Sequence, residues 1–214
     1  GQQRNLAAEQ TAVTARFATA VTAWRREVLG RGPEGNAASP SKGKGKAKGG
    51  AGLPPDDRPF PVGYREFPLT QLPARDGVPH GGIRRSAPAP NSSFFTNWKS
   101  TDDSITWDVE IHTAGRYEAV AYYTCPPADI GATLELSFNG SAVTSEVKPA
   151  WDSPLVRDQD RVPRVGESYL KEFRPLSLGV VALAAGRGKL TLRALKIPAQ
   201  QVMDLRLLTL KLAD

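Results

Sequence analysis

Cysteine and histidine are nearly missing from these 214 residues, which hold only Cys125, His80 and His112. A single thiol cannot close an intrachain disulfide, so it leaves the redox compartment open. One cysteine and two distant histidines also lack the spacing of a zinc site. Nucleophilic catalysis fares no better. His112 ends a strand-like segment, where a half-exposed strand histidine is the plain reading, and no nucleophile, base and orienting partner assemble around either ring. A phosphate loop is missing too, because Gly186-Arg187-Gly188-Lys189 has the glycines but opens no helix and reads as a hairpin turn. No run of about 18 apolar residues occurs, so no segment is expected to span a membrane. The N-terminus shows neither a charged n-region nor an apolar h-region, and Gly1 in place of Met fits a cut or engineered start.

What is present is a moderately apolar chain, 40% hydrophobic, with a net charge of +6 from 28 basic and 22 acidic residues. Lys42, Lys44, Lys46 and Lys48 supply four of those charges within a few positions, so the remainder is close to neutral. Nucleic-acid binders spread basic residues over a groove-facing surface, and no nucleic-acid partner is expected.

Three regions follow. From Asn5 to Leu29 the apolar residues Leu6, Val13, Phe17, Val21, Trp24 and Val28 fall on one helical stripe, with Asn5 as the cap and Gly30 and Pro33 as the stop. A lone helix of this length gains too little from its own hydrogen bonds, so Phe17 and Trp24 call for a partner surface. Residues 30–57 carry glycine, proline and alternating lysines with almost nothing to bury, and read as a linker with a root-mean-square reach of roughly 30 Å. Its lysines are either solvated or in touch with anionic glycans or phosphates.

Residues 58–214 read as a β domain. Edge strands are expected around Val62 to Tyr64 and Leu69 to Leu72. Ile105, Trp107, Val109 and Ile111 alternate with polar residues, and Ala114-Gly115 turns into Tyr117 to Thr124. Leu134, Leu136 and Phe138 alternate likewise and run into Asn139-Gly140, a strong hairpin signal. Leu176 to Leu183, Lys189 to Ala194 and Met203 to Leu212 follow; in the last, Leu205, Leu207, Thr209 and Lys211 alternate with Arg206, Leu208, Leu210 and Leu212. Many strands with no helix between them predict an antiparallel two-sheet β-sandwich. The polar stretch from Val147 to Glu167 is too long for a tight hairpin and is expected to cross one end or face of it.

Binding residues are sought in such loops. In Arg75-Asp76-Gly77-Val78-Pro79-His80-Gly81-Gly82 the glycines would let backbone approach a ligand, and Arg84-Arg85 suit sulfate or carboxylate; the plain alternative is a surface loop in which Arg75 and Asp76 pair with neighbours. Asn97-Trp98 offers an amide beside a flat ring suited to a sugar face, whereas Trp107 and Tyr117 have core periodicity. Asp102-Asp103 and Asp158-Gln159-Asp160 are either solvated loop aspartates or a structural calcium site; no other cofactor is expected.

Three stretches resemble the C-terminal region of secreted bacterial sulfatases of the N-acetylgalactosamine-6-sulfatase kind. LAAEQTAVTARFATAVTAWRREVLG is similar to the closing helix of the catalytic domain. LPARDGVPHGGIRRSAPAPNSSFFTNWKSTDDSITWDVEI and AGRYEAVAYYTCPPADIGATLELSFNG are similar to the β-rich appendage that follows it. The catalytic signature, C-x-P-x-R, is not here, since Asp129 of Cys125-Pro126-Pro127-Ala128-Asp129 stands where the arginine belongs. The resemblance therefore implies no catalytic residue. It implies a non-catalytic, carbohydrate-binding-module-like jelly roll in a periplasmic or extracellular protein, binding or positioning a sulfated polysaccharide beside an upstream sulfatase catalytic domain. The alternative it leaves is a structural domain that packs on that catalytic domain and walls its cleft. The ligand-binding candidates are Arg75, Asp76, His80, Arg84, Arg85, Asn97 and Trp98.

Overall fold

The structure is a computed structural model describing residues 9–29, 58–89, 91–157 and 159–213, with the helix side chains described up to Trp24. Contacts divide the chain into two compact units, Gly1–Pro54 and Pro55–Asp214. The first contains α1, Thr11–Leu29. Val13, Phe17, Val21 and Trp24 are exposed along it, Phe17 and Trp24 each at 58%. The expected cap Asn5, the stop at Gly30 and Pro33, and the linker lie outside the described residues.

The described residues of the second unit form twelve strands: β1 Phe60–Val62, β2 Leu69–Pro73, β3 Val78–His80, β4 Arg84–Arg85, β5 Phe95–Thr96, β6 Ser104–Ile111, β7 Gly115–Thr124, β8 Thr133–Phe138, β9 Ser141–Glu146, β10 Arg174–Leu183, β11 Gly186–Lys196 and β12 Asp204–Leu212. They form two sheets. Sheet one runs β1-β6-β11-β8-β9, with β3 beside the first half of β6 and β1 beside the second. Sheet two runs β10-β7-β12-β5-β4, with β2 also paired to β12. From β6 onward the chain passes back and forth between the sheets, which is the wrapping of a jelly roll. All pairings are antiparallel except β1 with β6, where Phe60 stands beside Val109 in parallel.

Period-two patterning explains the core. In β8 the residues Leu134, Leu136 and Phe138 point inward, and in β6 Ile105, Trp107, Val109 and Ile111 do the same. They meet Tyr117, Ala119, Ala121 and Tyr123 of β7 and Leu205, Leu208 and Leu210 of β12 in one buried cluster. Two of the core aromatics find backbone acceptors for their polar tips, Trp107 Nε1 donating to Pro73 O at 3.2 Å and the Tyr117 hydroxyl to Thr113 O at 2.6 Å, whereas Trp98 Nε1 is buried with no hydrogen-bond partner among the described residues. Burial also raises the Tyr117 pKa.

β12 departs from a single phase. Its register against β7 shifts between Leu205 and Leu207, and Arg206 is the extra residue. Before this bulge Leu205 faces inward; after it Leu208, Leu210 and Leu212 do, while Leu207, Thr209 and Lys211 turn to the outer side. The strict alternation expected for this strand is corrected accordingly.

The segment from Val147 to Phe173 carries the chain from sheet one to sheet two. Trp151 bridges to Cys125 and Val156 to Leu170. Its second half is tied to the β4–β5 connection, because Ala89 N donates to Gly166 O at 2.9 Å and the Ser86 and Ser168 hydroxyls hydrogen-bond each other.

Candidate functional site

The chain between β2 and β6 wraps one edge of the sandwich: β3 belongs to sheet one and β4 to sheet two. The buried carboxylate of Asp103 holds the crossing. It accepts Gly82 N–H at 2.7 Å, Ser100 N–H at 3.1 Å and Lys99 N–H at 3.3 Å. Gly81, at φ +72°, lies so close that a Cβ there would stand 2.0 Å from Asp103 Oδ1. Gly81 and Gly82 therefore let backbone approach a carboxylate of the same chain, and Gly77 lies against the Trp107 ring, where a Cβ would stand 2.9 Å from Cε2, which corrects the reading that these glycines admit a ligand. Asn97 takes φ +60° and donates its side-chain amide to Gly82 O at 2.7 Å, so its polar group is engaged within the fold.

Trp98 is corrected most clearly. Its ring is 1% exposed and packs in the core, leaving no face for a sugar. The left-handed backbone of Asn97 precedes it, and Trp98 O accepts Val202 N–H at 2.8 Å. His80 is exposed but engaged, with Nε2 2.9 Å from Thr106 Oγ1 on sheet one. His112 is exposed at the far end of β6 and stacks on Tyr64.

The arginines differ among themselves. Arg75 pairs with Asp76 at 3.4 Å, both partly exposed. Arg85 shares the inward parity of Phe95; its guanidinium lies over that ring and donates to Arg75 O at 2.8 Å and Gly77 O at 2.7 Å. It straps the β2–β3 connection to β4. Arg84, one residue earlier, faces outward with Thr96 and makes no hydrogen bond or ion pair among the described residues.

A fourth guanidinium completes the group. The bulge in β12 puts Arg206 on the outer side of sheet two, half-buried, where Nη1 donates to Ser93 O. Pairing of Leu207 with Pro73 brings the following residues, Ala74–Asp76, alongside it. Burial first, and then the charge of Arg75, lower the Arg206 pKa below its ordinary value. No carboxylate pairs with Arg206 among the described residues; the nearby acid Asp204 is held by Lys171 at 2.5 Å. Beside Arg206 an apolar row crosses the outer side of sheet two in register: Pro175, Tyr122, Leu207 and Pro73. The outer side of sheet one has a different character. There Arg187–Glu110, Lys189–Asp108 and Arg193–Glu135 pair across strands at 3.2, 3.0 and 2.8 Å.

Sequence patterning missed Arg206 and Tyr122 as neighbours because the bulge breaks the phase that would place them on one side. The signal available was Leu207-Leu208, two adjacent apolar residues that no single phase can bury together.

Among the described residues no three His, Cys, Asp or Glu side chains converge on a metal site. Asp103 is engaged as above, Asp160 pairs with Arg164 at 2.7 Å, and Asp158 lies outside the described residues. Cys125 is buried, and its thiol pKa is pushed up to about 11, chiefly by burial and then by Asp129, Asp204 and Asp152. Asp129, the departure from C-x-P-x-R, is itself buried and accepts Gln200 N–H at 3.2 Å and Gln201 Nε2–H at 2.9 Å. No described helix is long and apolar enough to cross a membrane.

No protein-family model and no curated protein matches the sequence. Among solved structures the chain is similar to a GH26-CBM35 β-(1,4)-mannanase of Podospora anserina, at 17% identity and TM-score 0.48, over 68% of this chain and 28% of that one. It is also similar to the Cry4Aa toxin of Bacillus thuringiensis, at 13% identity and TM-score 0.49, over 68% of this chain and 24% of the other. A family 35 carbohydrate binding module from Clostridium thermocellum gives 14% identity and TM-score 0.44, over 68% of this chain and 98% of the module. The chain thus spans about a quarter of the first two proteins. Likenesses at these scores assign it neither a family nor a ligand.

Proposed function

We propose that residues 58–214 are a non-catalytic accessory domain that holds a sulfated polysaccharide on the outer side of sheet two. The parent, on the resemblance of the sequence, is a periplasmic or extracellular sulfatase whose catalytic domain lies upstream. One observation carries the reading: Arg206 is half-buried without a carboxylate, beside the guanidinium of Arg75. A desolvated cation next to a like charge is unfavourable alone and is relieved by an anion, and planar guanidinium groups match sulfate oxygens through paired hydrogen bonds. Arg84 on the same side adds a second guanidinium without a carboxylate among the described residues. The row of Tyr122 and Leu207 offers an apolar surface to the C–H face of a sugar ring, and the Tyr122 hydroxyl adds a hydrogen-bonding tip. Holding substrate beside a tethered catalytic domain raises its local concentration with no new chemistry.

The test is retention of the full chain on immobilised chondroitin 6-sulfate against unsulfated chondroitin, at about 0.15 M salt, where exposed charges are screened over about 8 Å. A variant with Lys42, Lys44, Lys46 and Lys48 all changed to Gln removes the linker charge. Retention by both chains on the sulfated matrix alone is the expected result. Equal elution from the two matrices, or loss of retention in the lysine variant, overturns the reading.

The alternative, a domain that packs on the catalytic domain and walls its cleft, is favoured by the exposure of Phe67 at 77% and Leu69 at 52% around the β1–β2 turn. On that reading the chain binds no glycan, and Phe67→Ser lowers the activity of the parent enzyme.

A further inference from the structure

Arg206 has a carboxylate close to it in its own strand. Asp204 and Arg206 flank Leu205 of β12, and Asp204 stands beside Thr124 of β7, one step out of phase with the buried pair Leu205 and Tyr123. Asp204 and Arg206 therefore lie toward the same outer side of sheet two. Each residue advances a strand by about 3.3 Å, which puts their backbones within about 7 Å of each other. An arginine side chain spans that gap, so an unengaged Asp204 would turn to Arg206 and cancel its charge. Asp76, the other acid of this region, is taken up by Arg75 at 3.4 Å.

Asp204 is engaged elsewhere. Lys171, from the segment that joins the two sheets, reaches it at 2.5 Å, and the lysine and aspartate side chains are 9% and 19% exposed. The ammonium lies 4.7 Å from the centre of the Phe94 ring and 5.4 Å from that of Phe173, and these rings pack on each other with centroids 5.4 Å apart. Ring faces favour a desolvated cation, so they hold Lys171 in place and the carboxylate with it. Two consecutive residues keep the cations apart: Ser93 O accepts from Arg206 Nη1, and the Phe94 ring covers Lys171. The neighbouring charge that acts on Arg206 is that of Arg75 and not that of Asp204. Two cations thus compete for one carboxylate, and the winner decides where the surplus positive charge sits. On Lys171 it would lie under two rings, beyond a polysaccharide; on Arg206 it faces the outer side. We infer that Lys171 is a positioning residue of the anion site: by holding Asp204 it leaves the guanidinium of Arg206 without a carboxylate. The role of this charge in glycan binding rests on the function proposed above, whereas the choice of partner is a property of the free chain.

The experiment compares the full chain with Lys171→Met, Asp204→Asn and the two changes combined, all with the linker lysines Lys42, Lys44, Lys46 and Lys48 changed to Gln. Methionine keeps an unbranched stem between the two rings, and Lys171→Gln, neutral as well, should behave alike. The first readout is the Arg206 Nε–H signal by NMR without ligand, assigned by its loss in Arg206→Met. It should shift in Lys171→Met, where Asp204 turns to Arg206, and return in the double variant, where no carboxylate is left to turn. The second readout is affinity for chondroitin 6-sulfate, which should weaken about tenfold in Lys171→Met and stay within about threefold of the parent in Asp204→Asn and in the double variant. Rescue by removal of an acid is not expected of a lysine that merely holds the fold or touches the glycan. An Arg206 signal unmoved by Lys171→Met, or still displaced in the double variant, overturns the inference, and so does a double variant that binds as weakly as Lys171→Met. A parent chain that binds no chondroitin 6-sulfate overturns the function proposed above instead, and the guanidinium signal then decides the pairing alone.

Discussion

Replacing Asp103 by alanine should unfold the sandwich edge from the middle outward, and the structure gives the size of the loss. The carboxylate is 4% exposed and satisfies three backbone N–H groups, those of Gly82, Ser100 and Lys99, at 2.7, 3.1 and 3.3 Å. Each donor left without an acceptor costs about 1–3 kcal/mol when buried. These three are only partly buried and the longest bond is weak, so the lower end applies, giving about 3 kcal/mol in all. For a domain of this size that is a drop in Tm of about 6–12 °C. Urea denaturation followed by near-ultraviolet circular dichroism measures it, with a lower midpoint and an unchanged slope. Asp102→Ala, one residue away and exposed, is the control and should stay within about 0.5 kcal/mol of the parent. A loss below about 1 kcal/mol in Asp103→Ala would refute the view that this carboxylate, and no ligand, organises the glycine motif.

Three more outcomes are expected. Gly81→Ala meets the same carboxylate from the other side, at 2.0 Å and with φ +72°, and should cost about 2–3 kcal/mol by the same denaturation assay. Trp98→Ala should cost about 3–5 kcal/mol as a core cavity, so any glycan retention it loses tracks unfolding and not a missing sugar platform. The buried Cys125 thiol, pushed up to about 11, should resist iodoacetamide at pH 8 until the chain is denatured. Because its folded pKa lies above the unfolded value near 9, its contribution is whole below pH 9. As pH rises from 9 to 11 stability should fall by about 2–3 kcal/mol, which denaturant titrations at a series of pH values read directly.

The strands were legible because one side of each is buried: the alternations at Ile105 to Ile111 and Leu134 to Phe138 are the core pattern itself. The Asn139-Gly140 turn was legible for a local reason, since it joins β8 to β9 in register from Phe138 and Ser141 outward. Long-range choices were not. Nothing local tells Phe60–Val62 to run parallel to β6, because three residues rich in proline carry no register. Nor does composition separate a glycine that admits a ligand from one that admits Asp103, a residue 22 positions later in the chain. Trp98 looked like a loop aromatic because the left-handed backbone at Asn97 that turns it inward leaves no mark on hydrophobic periodicity. Of the candidate residues, Arg75, Asp76 and Arg84 stand on exposed positions of the sheet-two edge, while Arg85 and Asn97 hold backbone carbonyls. Arg206 stayed hidden in a leucine-rich strand until the bulge gave that strand two phases.

The account turns on the guanidinium of Arg206 being kept for an anion and not for stability. Arg206→Met removes the charge and keeps an apolar stem of similar length, so stability should stay within about 1 kcal/mol of the parent or rise, since a desolvated cation beside Arg75 is lost. Isothermal titration of the lysine-free linker variant with chondroitin 6-sulfate, with and without Arg206→Met, is the deciding measurement. Binding weakened tenfold or more at unchanged Tm is predicted; equal affinity in the two chains, or a Tm that collapses with the charge, contradicts it.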